Sequence, residues 1–225
     1  AFYGFPGRID TISRAVVILG FDEIRNLILA SSVMDLFSKE DAALNFRPTD
    51  FWAHSIATGL LTRTLGQEAG IVAQENLFVA GILHDVGKLA FFEFAGEEFT
   101  KALTFAAEHN VSIREAESEV MGIDHALAGM LLADRWRLPP TLKKAIQCHH
   151  DGRVNGKPAS LASAVHLADV LARALEMGFP GDNLTPPLNE EVWQTLRLRE
   201  GVFEEITPVF MRQYDEAIQV LLHRQ

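Results

Sequence analysis

Apolar residues recur along almost the whole chain at the three- and four-residue spacing of a helix rather than the two-residue spacing of a strand. In the last segment, for example, Phe203, Ile206, Phe210, Tyr214 and Ile218 would lie on one helical face. The sequence therefore predicts an all-α, compact multi-helix fold. The predicted helices cover residues 9–19, 22–37, 48–69, 74–86, 97–109, 112–121, 125–136, 139–150, 159–176, 188–196 and 202–223.

The strongest break in this helical pattern lies between residues 178 and 187. It contains Gly178, Pro180, Gly181, Pro186 and Pro187. The chain has 225 residues, 48% of them hydrophobic, which is enough for one large core, whereas the segment after the break is too short for its own. We expect a helical domain over residues 1–177, N-terminally incomplete because the chain opens directly on Ala-Phe-Tyr-Gly. Residues 178–225 should form a connection and C-terminal helices that pack on that domain.

Composition excludes several classes of protein. The net charge of −10 argues against general binding to nucleic acid, because no basic field is available for a phosphate backbone. The single cysteine, Cys148, rules out an internal disulfide and a metal site built from cysteine clusters. The longest apolar stretch, residues 76–96, contains charged residues, and no signal peptide opens the chain. We expect a cytoplasmic protein outside the membrane; the sequence does not indicate its oligomeric state.

The most informative motif is the pair His84-Asp85, which lies inside a run of apolar residues. A buried carboxylate needs a cation, hydrogen bonds or a metal to offset its desolvation. Adjacent residues diverge by about 100° on a helix, so both side chains can point at one centre only near a helix end, which Gly87 is expected to provide. The alternative is a buried histidine that is hydrogen-bonded to a capping Asp85.

Asp50 and His54 are a second candidate pair. They are four residues apart in a predicted helix, so both side chains share one face and could bind one ion. Asp50 also follows Pro48, a favourable first helical residue. It could therefore be an acid in the first turn that the helix dipole stabilises.

Four further residues are possible ligands. The consecutive histidines His149 and His150 close a predicted helix, where the helix dipole alone would also favour imidazolium. Asp169 is an isolated acid among small apolar residues and therefore needs a partner. His125 lies at a predicted helix start and by itself is uninformative.

Together these residues form a nitrogen and oxygen donor set without thiolate. Its members are Asp50, His54, His84, Asp85, His125, His149, His150 and Asp169. Such a set suits a divalent transition metal, one or two ions of Fe, Mn, Co or Zn, and two ions would suit phosphoester hydrolysis. In that case Lys88 is the candidate for phosphate binding and His150 for proton transfer, although Lys88 could also be a solvated lysine after a helix end.

The order His54, His84-Asp85, Asp169 resembles the H…HD…D signature of the HD superfamily of metal-dependent phosphohydrolases, whose members hold a metal at those positions. Further motifs resemble its HDOD (HD-related output) branch. They are Ala15-Val-Val-Ile-Leu-Gly20, Gly81-Ile-Leu-His-Asp-Val-Gly-Lys88, Asp124-His-Ala-Leu-Ala-Gly129, Trp136-Arg-Leu-Pro139 and Ala145-Ile-Gln-Cys-His-His-Asp151. The resemblance covers about residues 1–175. It implies a bacterial, all-α signalling domain that is combined with receiver or other sensory and output modules.

Two features set this sequence apart within that resemblance. Many HDOD members have lost metal-site residues, whereas Asp50, His125, His149 and His150 still carry possible ligands at positions resembling those of HD-GYP phosphodiesterases. The Gly-Tyr-Pro triplet of HD-GYP proteins is missing after His150, which argues against hydrolysis of cyclic di-GMP. We expect a signal-transduction domain with an HD-type metal site, whose partners are signalling proteins or a phosphoester ligand. The alternative is an active metal-dependent phosphohydrolase on a nucleotide or other phosphoester.

Overall fold

A computed structural model describes residues 46–71 and 76–222, together with Ile28 and residues 31–33. The described part contains ten helices that we number in chain order. They are α1 (Pro48–Glu68), α2 (Leu77–Leu83), α3 (Val86–Phe94), α4 (Gly96–His109), α5 (Ile113–Met121), α6 (His125–Arg135), α7 (Pro140–Cys148), α8 (Ser160–Ala174), α9 (Glu190–Leu196) and α10 (Val202–Leu221). The predicted all-α class is confirmed. No helix among these residues is long and apolar enough to cross a lipid bilayer.

Most of the predicted helices match the structure within a few residues. The predicted helix over residues 9–19 lies outside the described residues, as does that over 22–37 except for Ile28 and residues 31–33, which are helical. The helix predicted over residues 74–86 corresponds to α2, and the predicted helix end beside His84 and Asp85 is confirmed, since both lie in the turn between α2 and α3. The sequence did not predict α3, and Gly87 is the second residue of that helix rather than the end of α2.

A short hairpin is the one β element of the described residues. Strands β1 (Arg153–Val154) and β2 (Lys157–Pro158) pair antiparallel, and Asn155 and Gly156 between them both have positive φ angles, 53° and 75°. This Asn-Gly dipeptide is a strong hairpin signal that the helical periodicity does not reveal.

Helix α1 forms the centre of the core. Its apolar residues face every direction, and Phe51, Ile56, Leu60 and Leu65 have no solvent exposure, so neighbouring elements must surround it. Helices α2 and α8 make its most extensive contacts, and α10 also packs on it. These three neighbours bring the residues around His54 within reach of other parts of the chain.

The C-terminal segment packs on this body. Ile206 and Phe210 of α10 are buried, and Phe203 and Ile218 pack against the core from its edge. The connection before α9 also touches the centre of the fold, since the Phe179 amide donates to the Asp50 carbonyl at 3.0 Å. The division at residues 177 and 178 stays a prediction.

Candidate metal centre

Five separate elements bring the candidate side chains together. His54 comes from the first half of α1, His84 and Asp85 from the turn between α2 and α3, and Asp169 from the middle of α8. The first residue of α6, His125, and the two residues after α7, His149 and His150, complete the group. Three sets of potential ligand atoms each lie within 4.8 Å of one another: His54, His84 and Asp169; His84, Asp85 and His149; and His125, His149 and His150.

Asp85 lies at the middle of the cluster. Its Oδ1 is 3.1 Å from His125 Nε2 and 3.5 Å from His149 Nε2, while its Oδ2 is 3.2 Å from His84 Nε2. The two carboxylate oxygens therefore face different histidines. A carboxylate could serve two neighbouring ion sites when its oxygens face different ligands in this way.

Asp169 closes the other side of the cluster. Its Oδ1 lies 3.0 Å from His54 Nε2 and 3.7 Å from His84 Nε2. The same oxygen accepts a hydrogen bond from Arg173 Nε, one turn further along α8, at 3.1 Å. Arg173 is almost fully buried, and its Nη1 also donates to Asp182 at 3.0 Å in the connection after α8. Sequence analysis missed Arg173, whose i, i+4 spacing from Asp169 was the available signal.

Backbone carbonyls hold three of the imidazole rings. His84 Nδ1 lies 2.7 Å from the Gly81 carbonyl, and His149 Nδ1 lies 2.7 Å from that of Ile146, so each ring binds the carbonyl three residues before it. His54 Nδ1 lies 3.3 Å from the Met177 carbonyl. Because a carbonyl only accepts, each Nδ1 donates to it, which leaves each Nε2 facing the cluster, where a metal ion could take the place of a proton.

A buried carboxylate that sequence analysis missed holds the fourth ring. Glu117 of α5 is fully buried, and its Oε2 accepts from both the backbone amide of His125 at 2.8 Å and Nδ1 at 2.5 Å. A carboxylate behind a histidine fixes its orientation and makes Nε2 a better ligand. The signal was that Glu117 shares the buried face of α5 with Ile113 and Ala116.

Five of the nitrogen and oxygen atoms that point into the cluster lack hydrogen-bond partners in the described part of the chain. Among the described residues, these buried atoms are the Nε2 atoms of His84, His125, His149 and His150 and the Oδ1 of Asp85. Leaving buried polar atoms unpaired costs about 1–3 kcal/mol each, so a fold that collects five of them needs a compensating ligand. Lone pairs from imidazoles and a carboxylate fit a divalent transition metal.

Burial and neighbouring charges set the protonation of the cluster. Burial raises the pKa of Asp85, but His84 and Lys88 outweigh it and hold that pKa well below its usual value. Burial lowers the pKa of His84, but the carboxylates of Asp85 and Asp169 raise it to about 9. Burial also lowers the pKa of His149, to about 4. At neutral pH Asp85 is ionised and His149 is neutral, as metal ligands must be, whereas His84 carries a proton that a bound metal ion would displace.

Asp50 lies apart from the cluster. Its side chain is 41% exposed and pairs with Arg47 across 3.6 Å, and none of the three ligand sets found among the described residues includes it. It occupies the first turn of α1, where the helix dipole stabilises a carboxylate.

Lys88 is buried inside the fold. It has no solvent exposure, and its Nζ donates to Asp85 Oδ2 at 2.5 Å, so the interpretation as a solvated lysine is wrong. The cation lies directly behind the central carboxylate and offsets its charge. Its predicted role in phosphate binding stays a prediction.

A close contact between two glycines sets the position of His125. A Cβ built on Gly87 would lie 2.0 Å from the His125 carbonyl oxygen and 2.7 Å from the Gly129 amide, both backbone atoms of α6. Only glycine therefore lets α3 approach α6 closely enough for His125 to reach Asp85.

We expect Gly87→Ala to destabilise the protein by about 2 kcal/mol, because backbone atoms of α6 must move to admit the methyl group. Gly129→Ala is the matched control, since its Cβ would meet mainly the movable Ile146 side chain at 2.9 Å and should cost less. Urea unfolding of the metal-free proteins measures both free energies. Equal stability of Gly87→Ala and wild type would contradict this role of the contact.

A cavity of about 380 Å³ reaches the cluster from outside. Its wall includes His125, His150 and Asp169 from the cluster, Arg114 and Arg173 as cations, and the residues Leu184 to Pro187 of the connection. The segment expected from the sequence to be only a link therefore forms one side of the site. A small ligand in this cavity would contact the cluster directly.

Comparison with known proteins identifies this class of domain. Residues 1–152 match the HDOD domain family, and the chain belongs to that family. A Treponema pallidum (strain Nichols) protein, itself uncharacterised, is 26% identical over 188 residues. That match covers 82% of this chain, which spans only 36% of the length of that relative.

Two solved structures resemble the whole chain. An HDOD domain protein of unknown function from Geobacter sulfurreducens is 27% identical, with a TM-score of 0.80 and coverage of 97% of this chain and 77% of that one. A Shewanella amazonensis SB2B protein, provisionally called a phosphohydrolase, is 25% identical, with a TM-score of 0.70 and coverage of 93% and 77%.

Proposed function

We propose that this HDOD domain is a regulatory module of signal transduction that binds a divalent transition metal and, at that centre, a phosphoester ligand. The observation that carries the proposal is the set of buried, unpartnered ligand atoms beside an open cavity. The metal is Fe, Mn, Co or Zn, in one or two ions, because imidazole nitrogen dominates the donor set. We also propose a cytoplasmic location, which the lone Cys148 favours.

The residues divide naturally into two ligand groups. His54, His84 and Asp169 form one, and His125, His149 and His150 form the other, with Asp85 between them. Because the oxygens of Asp85 face opposite sides, the cluster has room for a ligand set on each side. This division supports a centre of two ions.

One cavity residue favours an anionic ligand. Arg114 is about half exposed and lines the cavity, in a wall that also contains Glu115 and Asp182, and its Nε donates to Asp124 at 2.8 Å. Guanidinium groups bind phosphate oxygens through paired hydrogen bonds. A phosphoester is therefore the ligand class that best fits this wall together with a metal centre.

Hydrolysis of that phosphoester is a second candidate function, which His150 favours. Its ring lies 4.8 Å from that of His125, it lines the cavity, and its Nε2 has no hydrogen-bond partner among the described residues. Burial holds the pKa of His150 well below its usual value, so the ring is a neutral proton acceptor at pH 7. A bound divalent ion would supply Lewis-acid polarisation of the phosphoryl group.

Metal analysis of the purified and reconstituted domain tests the proposal. We expect wild-type protein to retain Fe, Mn, Co or Zn after gel filtration and His84→Ala to retain much less, with an unchanged helical circular dichroism spectrum as the control for folding. A wild-type protein that holds none of the four metals after reconstitution would overturn the proposal.

A phosphoester screen separates the two candidate functions. We expect metal-loaded protein to bind a nucleoside monophosphate and to leave it intact, as a regulatory module would. Turnover that disappears in both His84→Ala and His150→Ala would establish the phosphohydrolase instead.

A further inference from the structure

A second cavity lies next to the first, with His150 in the wall of both. It measures about 310 Å³ and lies between the N-terminus of α5, the end of α7 and the β1–β2 hairpin. The two cavities share Arg114 and His150 in their walls. Groups bound in the two cavities would therefore both contact Arg114 and His150.

Positive charge is concentrated around this second cavity. Arg114, Lys144 and Arg153 line it with one acid, Asp151, whereas the chain as a whole carries a net charge of −10. The Asp151 carboxylate already accepts the Arg153 backbone amide at 2.9 Å, as a local turn requires. A concave surface with an excess of cations on an acidic protein attracts anions locally.

One lining cation has no ion-pair partner among the described residues, and a second is only partly satisfied. Lys144 is exposed and forms no ion pair with a described residue, whereas the preceding Lys143 pairs with Asp134 at 2.7 Å. Arg153 donates from Nη2 to Glu191, but its Nε is buried and has no hydrogen-bond partner in the described part of the chain. These two groups point to a ligand rather than to an internal structural role.

We propose that this second cavity, lined by Arg114, Lys144 and Arg153, binds a second phosphate of the ligand. The ligand class is then a phosphoester that carries two separated phosphates, one at the metal cluster and one in the cationic cavity. This inference rests on the proposed metal centre and names the ligand of the same site. Arg114, at the junction of the cavities, contributes to both subsites.

A pair of probes that differ by one phosphate tests the inference. Calorimetric titration of metal-loaded protein compares adenosine 5′-monophosphate with adenosine 3′,5′-bisphosphate. We expect the bisphosphate to bind about tenfold more tightly, because charge-assisted hydrogen bonds form at the second phosphate. Metal content is measured in the same samples.

Variants of the cationic residues test whether the gain in affinity for the bisphosphate comes from this cavity. Lys144→Ala should reduce the ratio of bisphosphate to monophosphate affinity about fivefold, and Arg153→Ala should reduce it similarly. Lys143→Ala, which removes the neighbouring charge of the same helix, is the matched control and should leave the ratio unchanged.

Each result has a defined meaning. A monophosphate that binds as tightly as the bisphosphate overturns this inference alone, and so does an equal loss of the affinity ratio in Lys143→Ala. Metal-loaded protein that binds neither probe overturns both this inference and the proposed phosphoester ligand. A protein without metal after reconstitution overturns the proposed centre itself.

Discussion

Asp85→Asn should weaken metal binding by more than about a hundredfold. Asp85 is the residue whose two oxygens reach both sides of the cluster, at 3.1 Å from His125 and 3.2 Å from His84. An amide of the same size replaces one of those oxygens by an NH2 group that donates instead of accepting, and it removes the negative charge that a cation requires. Competition with a chromophoric chelator, using Zn²⁺ or Co²⁺, measures the affinity.

Asp50→Asn is the matched control for this experiment. It makes the same chemical change at a residue that the sequence placed among the ligands but the structure places in a surface pair with Arg47. We expect metal affinity to change less than about twofold, because a carboxylate this exposed is screened by solvent. An equal loss in both variants would put Asp50 in the centre, and an unchanged affinity in Asp85→Asn would contradict the proposed site.

The sequence was informative where the chemistry of a residue conflicts with its neighbourhood. His84-Asp85 lies in an apolar run and Asp169 among small apolar residues, and a polar group in such a place needs a partner. The structure brings these residues together with His54. The helices were predictable for a similar reason, since a helix that packs on a core must place its apolar residues on the matching face.

Sequence reasoning failed where the deciding contact is between segments far apart in the chain. Gly87 was interpreted as a helix end, but it is needed inside α3 because α6 passes against it, and nothing within α3 reveals that neighbour. Glu117 and Arg173 were not singled out from the sequence. Their spacing from apolar neighbours and from Asp169 was a weak signal, and the contacts of Glu117 with His125 and of Arg173 with Asp182 bring together segments far apart or loosely connected in the chain.

Lys88 shows the same limit. A lysine at residue 88 can as easily extend into solvent as lie within the core, since its long stem reaches in either direction. Its burial follows from Asp85, whose carboxylate lies three residues away and attracts it into the turn between α2 and α3. The charge balance of the site is thus set by a side chain that does not line either cavity described above.

We expect Lys88→Met to destabilise the metal-free protein by about 3 kcal/mol. The substitution keeps the volume of the stem but removes the cation 2.5 Å from Asp85, and an unpaired buried carboxylate is strongly unfavourable. The pKa of Asp85 should rise as a result, because Lys88 is one of the two main charges that hold it low. Urea unfolding in the presence of a chelator measures the loss.

Adding metal should restore part of the stability that Lys88→Met loses. A bound divalent ion would offset the charge of Asp85, which Lys88 offsets in the metal-free protein. The difference between Lys88→Met and wild type is therefore expected to be smaller in the metal-loaded proteins. Lys143→Met, which removes a partly exposed lysine paired with the exposed Asp134, is the control and should change stability by less than about 1 kcal/mol. If metal-free Lys88→Met is as stable as wild type but the loaded variant binds phosphoesters more weakly, Lys88 acts on phosphate, as the sequence predicts, and does not balance Asp85.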